Sequence, residues 1–225
     1  MMVYSKISEK LTIAEYENGL RLGTDAVLLA GFAGKGAKRV GVELGCGSGV
    51  ISLMLLSENR AAKLTGVEIQ PKYASLASEN AEKNGLSERF GCINADVREI
   101  SKHLESGRAD IVLCNPPYYR VGSGKHSDST EADIARRELF GTIDDFCAAA
   151  SYLLKYGGKF YTVFPPERLC TLICSLGKYK LEPKKIEIIT HKGVPTLSLV
   201  QSEKNAAEGV KLSFKETSPV HSYDL

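Results

Sequence analysis

Apolar residues in this chain fall into short, nearly continuous runs, most of them ended by a glycine, an acid, an amide or a proline. Lys38–Leu44, Lys63–Ile69, Phe90–Asp96, Asp110–Cys114 and Lys159–Phe164 are such runs. Unbroken runs of this length suit strands buried on both faces, as in parallel sheets. Between them the apolar spacing becomes helical. Ile51, Leu53, Met54, Leu55 and Leu56 supply the buried side of a helix over Val50–Ser57. Tyr73, Leu76, Ala77 and Ala81 do so for a helix opened by Pro71 and closed by Asn84-Gly85. Further helices are expected at Ile100–Leu104 (weak), Ile143–Leu154 and Glu167–Leu176. Strands and helices alternating at this spacing predict right-handed βαβ units and an α/β, Rossmann-like, mostly parallel sheet.

The two ends depart from that pattern. Lys10–Tyr16 alternates loosely, as in a strand or hairpin, and Thr24 or Asp25 suits the N-cap of an apolar helix ending near Gly34 or Gly36. Lys184–Thr190 and Thr196–Gln201, joined through Lys192-Gly193-Val194-Pro195, predict an antiparallel C-terminal hairpin. Residues 202–225 read as a weakly structured tail with one edge strand at Val210–Phe214. No repeat or linker divides the chain. The expectation is a single domain over 1–225, with residues 1–36 as an N-terminal strand and helix extension.

Bulk properties narrow the class. The 225 residues are 43% hydrophobic and 25% charged, with a formal charge of +2, which permits a nucleic-acid partner without demanding one. Arg120, Lys125, Arg136, Arg137, Lys178, Lys180, Lys184 and Lys185 would contact phosphates if they shared a face. No run is long enough for a membrane span and no signal-peptide core opens the chain, so no membrane partner and a cytoplasmic location are expected. Cys46, Cys92, Cys114, Cys147, Cys170 and Cys174 form no CxxC pair and the four histidines are scattered. Buried reduced thiols and no metal site are expected. A monomer and a homodimer both remain open.

Candidate chemistry collects at the ends of the predicted strands. Glu43-Leu44-Gly45-Cys46-Gly47-Ser48-Gly49 joins the first apolar run to its helix. Glycines there admit a ligand close to the backbone, and the helix start offers unpaired N–H groups to an anion. A dinucleotide fingerprint would run GxGxxG. Here the glycines run GxGxG, and Glu43 sits badly beside a pyrophosphate but well beside an ammonium. S-adenosylmethionine (SAM) carries an ammonium and a carboxylate on its methionine end, so the spacing favours SAM over NAD. Glu68, about 20 residues on and followed by Ile69, stands where an acid hydrogen-bonds ribose hydroxyls. Asp96 is placed to accept from an adenine amino group, with the Val97 N–H available to the ring. Asp110–Cys114 then runs into Asn115-Pro116-Pro117-Tyr118. Two prolines cannot continue a central strand, so the chain leaves the sheet in a rigid turn that presents Asn115 and Tyr118.

This constellation resembles the class I SAM-dependent methyltransferases, and Asn115-Pro116-Pro117-Tyr118 looks like the [DNS]PP[YFW] motif of their amino-methylating branch. The resemblance implies a seven-stranded sheet with an antiparallel hairpin strand. It also implies that the Asn115 side chain and the Pro116 carbonyl accept hydrogen bonds from a planar amine while Tyr118 stacks on its ring. Leu22-Gly23-Thr24-Asp25-Ala26-Val27-Leu28-Leu29, Ala135-Arg136-Arg137-Glu138, the stretch from Ser151 to Tyr161 and Pro166-Glu167-Arg168-Leu169 are similar to the tRNA1(Val) (adenine-37-N6)-methyltransferase family. That similarity implies an RNA partner, tRNA first, a turn at Thr24 and Asp25 that closes over the cofactor, and roles for Arg136 and Glu138 in ordering the motif loop or meeting RNA. The tail ending Pro219-Val220-His221-Ser222-Tyr223 lacks the family's acidic ending. An rRNA base, a protein glutamine (whose methyltransferases share the Asn-Pro-Pro-Tyr motif) and a non-catalytic SAM-binding scaffold are the alternatives.

Overall fold

The computed structural model describes residues 1–17, 19, 22–116 and 141–217. A two-stranded antiparallel hairpin, β1 (Met2–Ser8) and β2 (Leu11–Tyr16), opens the chain, followed by α1 (Thr24–Phe32). The units β3 (Val40–Leu44), α2 (Val50–Ser57), β4 (Lys63–Glu68), α3 (Pro71–Lys83) and β5 (Phe90–Asn94) come next. A 3-10 segment (Val97–Lys102) leads to β6 (Ala109–Cys114). Beyond residue 140 lie α4 (Ile143–Leu153), β7 (Leu154–Phe164), a 3-10 turn (Pro166–Arg168), α5 (Leu169–Lys178), β8 (Leu181–His191), β9 (Val194–Lys204) and β10 (Lys211–Glu216).

The main sheet runs β10-β8-β9-β7-β6-β3-β4-β5. Among the described strands of this sheet, only β9 is antiparallel to its neighbours, β7 and β8. The seven expected strands are all present, with the hairpin in the expected place, and β10 adds an eighth by pairing in parallel with β8. Alternation decides which side chains serve which layer. Tyr161 and Val163 of β7 face the layer of α1, α2 and α3, whereas Phe160 and Phe164 face α4 and α5. All four are essentially inaccessible, each stabilising the fold by about 1.5–3 kcal/mol relative to an exposed position.

Several local expectations need correction. The N-cap of α1 is Gly23, not Thr24 or Asp25; the Asp25 carboxylate instead accepts from the Ala26 N–H at 2.9 Å. Strand β5 stops at Asn94, so Asp96 lies beyond the sheet and caps the 3-10 segment, accepting from the Arg98 N–H. No loop separates α4 from β7, because the strand takes in Lys155–Gly158 with a shift of register. Cys46, Cys114 and Cys147 are buried as expected, but Cys92 is half-buried, and Cys170 and Cys174 are exposed on α5. That helix is amphipathic, and its core face is carried by Leu172 and Leu176.

Candidate functional site

Strand β3 is central, and its register sets the site. Leu44 pairs with Val67 of β4 and with Cys114 of β6, so the chain leaves three adjacent strands at one level. There it continues as the glycine loop, as Glu68-Ile69 and as Asn115. Strand β5 brings Asn94 alongside Glu68, with Asp96 two residues further on. This is the carboxyl edge of an open α/β sheet, where ligands bind.

The loop is pinned from beneath. The Gly45 and Cys46 N–H groups both donate to the Val67 carbonyl, at 2.8 and 3.1 Å. Gly45, Gly47 and Gly49 have φ of 68°, 53° and 82°, a region that favours glycine. Strand β4 passes a glycine under the loop for steric reasons: a Cβ on Gly66 would meet the Cys46 sulfur at 2.6 Å. Asn80 of α3 holds the loop from the side, donating to the Ser48 carbonyl at 3.0 Å while also bonding the Ala14 backbone in β2.

Two buried carboxylates support this loop. One Glu68 oxygen accepts from the Gly47 N–H at 3.0 Å and the other from the Gln70 N–H at 2.9 Å. Burial raises its pKa above the usual carboxylate value, against those bonds. A desolvated carboxylate at a strand end, beside Gly47 with no side chain to intervene, fits a ligand bearing hydroxyls, as SAM does on its ribose. Glu43 is more deeply buried, and burial pushes it up to about 7. One of its oxygens accepts from both the Ser52 N–H and the Ser52 hydroxyl in α2. The expectation from sequence was an ammonium partner; the structure shows Glu43 fastening the loop's following helix to β3.

The adenine-side residues are arranged differently. Asp96 is clamped by the Arg98 guanidinium, which holds its carboxyl below the usual value. Val97 is buried, and the Ile69 carbonyl accepts from the Asn94 amide at 2.9 Å. Asn94, which also donates to the Glu68 carbonyl at 2.8 Å, fixes the turn after β4 and was missed in the sequence reading. An amide two residues before an expected ligand acid was the available signal. Asn80, Ser52 and Arg98 were missed too, since their roles depend on contacts that no motif carries.

Asn115 is half-buried and its amide nitrogen donates to the Asp25 carboxylate at 3.0 Å. The structure thus brings Asp25 to Asn115, joining the Gly-Thr-Asp turn to the Asn-Pro-Pro-Tyr motif. The hairpin steadies that turn: buried Glu15 of β2 accepts from the Leu22 N–H and from the Ser5 hydroxyl. Thr24 is the first residue of α1, and Pro116 is buried next to Asn115. Pro117 and Tyr118 lie outside the described residues, as do Arg120, Lys125, Arg136, Arg137 and Glu138. Of the remaining basic residues, Lys178 pairs with Asp144 of α4, whereas Lys185 lies over the Phe32 ring of α1, on the opposite layer. Those two do not share a face.

The model of the methyltransferase small domain family matches residues 18–171. The chain is 26% identical over 189 residues to a tRNA1(Val) (adenine(37)-N6)-methyltransferase from Flavobacterium psychrophilum, covering 84% of this chain and 79% of that one. It is 30% identical over 173 residues to a protein of the same description from Porphyromonas gingivalis, covering 74% and 67%. Among solved structures, a predicted O-methyltransferase from Agrobacterium tumefaciens aligns with a TM-score of 0.67 at 22% identity, over 88% of each chain. That likeness speaks for the fold.

Proposed function

The chain belongs to the methyltransferase small domain family, and from that premise we propose that it transfers a methyl group from SAM to the exocyclic N6 amine of an adenine in tRNA. The observation that carries this reading is the register Leu44↔Cys114, by which the glycine loop and Asn115 leave adjacent strands together. A donor held by the loop and an acceptor held by Asn115 would then be neighbours. The relatives named above act on adenine 37 of tRNA1(Val), which makes that nucleotide the proposed target and the cytoplasm the proposed location.

SAM supplies an electrophilic methyl group on a sulfonium, which needs no further activation. Its proposed holders are Gly45, Gly47 and Gly49 by close backbone approach, and Glu68 for the ribose hydroxyls. Asp96 and Val97 would take the adenine end, with Thr24 and Ile69 around the remainder, while Glu43 and Asp25 would act through the groups they hold, Ser52 and Asn115. The acceptor is the harder partner. An exocyclic amine on an aromatic ring is planar, and its lone pair is delocalised and weakly nucleophilic. Two acceptors that draw its hydrogens aside aim the lone pair at the methyl group, and holding the reactants close contributes much of the rate. The Asn115 amide oxygen and the Pro116 carbonyl would be those acceptors. Tyr118 would stack on the base, as enzymes that modify an extruded base do. No strong general base is needed, because the methylated ammonium loses its proton to water.

The test is methyl-labelled SAM offered to tRNA, rRNA and protein fractions, followed by digestion. N6-methyladenosine from the tRNA fraction is the expected product. Label recovered in rRNA nucleosides or in glutamine alone would replace the reading by one of its alternatives.

A further inference from the structure

We propose that Asp25 is a positioning residue for transfer: it holds the Asn115 amide in the one orientation that offers oxygen, not nitrogen, to the acceptor amine. The inference rests on Asn115 being the group that receives that amine.

A primary amide on a flexible side chain is a two-fold rotor, with oxygen and nitrogen exchanging places at little cost. For an acceptor site the two states are opposites. With oxygen forward, the amide accepts from the target amine. With nitrogen forward, donor faces donor and the amine is repelled. Asp25 breaks this symmetry. A carboxylate only accepts hydrogen bonds, so the end of the amide that meets it must be the NH2. The Asn115 nitrogen lies 3.0 Å from one Asp25 oxygen, while the other accepts from the Ala26 N–H at 2.9 Å. The reverse rotamer would set a carbonyl oxygen against a carboxylate oxygen. Bonds to a charged group are about twice as strong as neutral ones, enough to bias the rotor decisively.

Placement supports the assignment. Asp25 lies in the first turn of α1, where the helix dipole favours an anion. The two residues are 90 positions apart, so only the completed fold brings them together. A carboxylate whose one task was to satisfy the helix start would have no need to reach the end of β6.

The experiment uses the full chain and two readouts. In cofactor-free, 15N-labelled protein, Asp25→Ala is expected to move the Asn115 side-chain NH2 resonances while leaving the backbone spectrum of β3 and β6 in place. In methyl transfer to tRNA, Asp25→Ala is expected to lower kcat by about tenfold, with the SAM Kd within about threefold. The reciprocal exchange separates positioning from mere structure. Asn115→Asp sets two carboxylates against each other, and Asp25→Asn removes the bias. The double variant Asp25→Asn/Asn115→Asp restores one donor facing one acceptor, and its kcat should exceed that of either single variant. A double variant no better than the poorer single one would overturn the proposal. So would an Asp25→Ala protein that loses SAM affinity at unchanged kcat, or an NH2 signal that does not move. An NH2 shift caused by Asp25→Ala, found together with a wild-type protein that labels no tRNA adenine, would support the Asp25–Asn115 pair and count against the tRNA reading alone.

Discussion

The glycine loop and Asn115 leave neighbouring strands at the same level, yet they are held in different ways. The loop is fixed by groups close to it in the βαβ unit: Val67 and Glu68 accept its N–H groups, and Ser52 in the following helix secures Glu43. The Asn115 side chain is held from the N-terminal segment, through Asp25 at the start of α1. The donor side is held mainly within the βαβ unit, with Asn80 tying it to β2 as well. The acceptor side depends on the N-terminal segment reaching across the sheet.

The comparison predicts a separation of effects, greatest at Asn115. Asn115→Ala is expected to lower single-turnover methyl transfer by about 10²–10³-fold, while SAM affinity measured by calorimetry stays within a few-fold. Parallel loss of both would show that Asn115 belongs to the donor side. Glu43 tests the donor side through stability. Burial raises its folded pKa to about 7, above the ordinary glutamate value of 4.5, so the folded protein binds this proton more tightly than the unfolded chain. Its stabilising contribution is therefore present below about pH 4.5 and is lost as pH rises through 7, by about 3 kcal/mol. Glu43→Gln, which still accepts from Ser52, should lack this loss. Urea unfolding of both proteins at pH 4.5 and pH 8 checks it, and identical pH dependence would contradict it.

Next in size is Glu68→Ala. It leaves the Gly47 and Gln70 N–H groups without their carboxylate, at a cost of about 1–3 kcal/mol. A lower Tm together with weaker SAM binding is expected, whereas an unchanged Kd would remove Glu68 from the cofactor site. The smallest effect is expected from Arg98→Ala. Releasing the Asp96 carboxylate from a partly exposed ion pair worth about 0.2–1 kcal/mol should tighten SAM binding by no more than about fivefold. Weaker binding would mean that Arg98 itself touches the cofactor.

The same division explains what could be read from the sequence. The strands, the glycine loop, Pro71 and the C-terminal hairpin were legible because each is announced by residues within a few positions of itself. The helix Val50–Ser57 has the boundaries that its apolar spacing predicts. The end of β5 was misjudged because Ala95 extends the apolar run beyond the last paired residue, Asn94. The exposure of Cys170 and Cys174 depends on how α5 is rotated against the sheet, which its cysteines do not indicate. The Asp25–Asn115 bond was invisible for a different reason: each residue carries its own motif, and neither motif names the other.

The central claim is that this edge of the sheet presents a planar adenine amine to a methyl donor. Its most direct test is transfer from SAM to an unmodified tRNA1(Val) transcript, followed by mass spectrometry of the nucleosides, with a second transcript bearing guanine at position 37. The account predicts one N6-methyladenosine per tRNA in the first transcript and none in the second. Equal methylation of the two transcripts, or methyl groups found on protein glutamine instead of RNA, would contradict it.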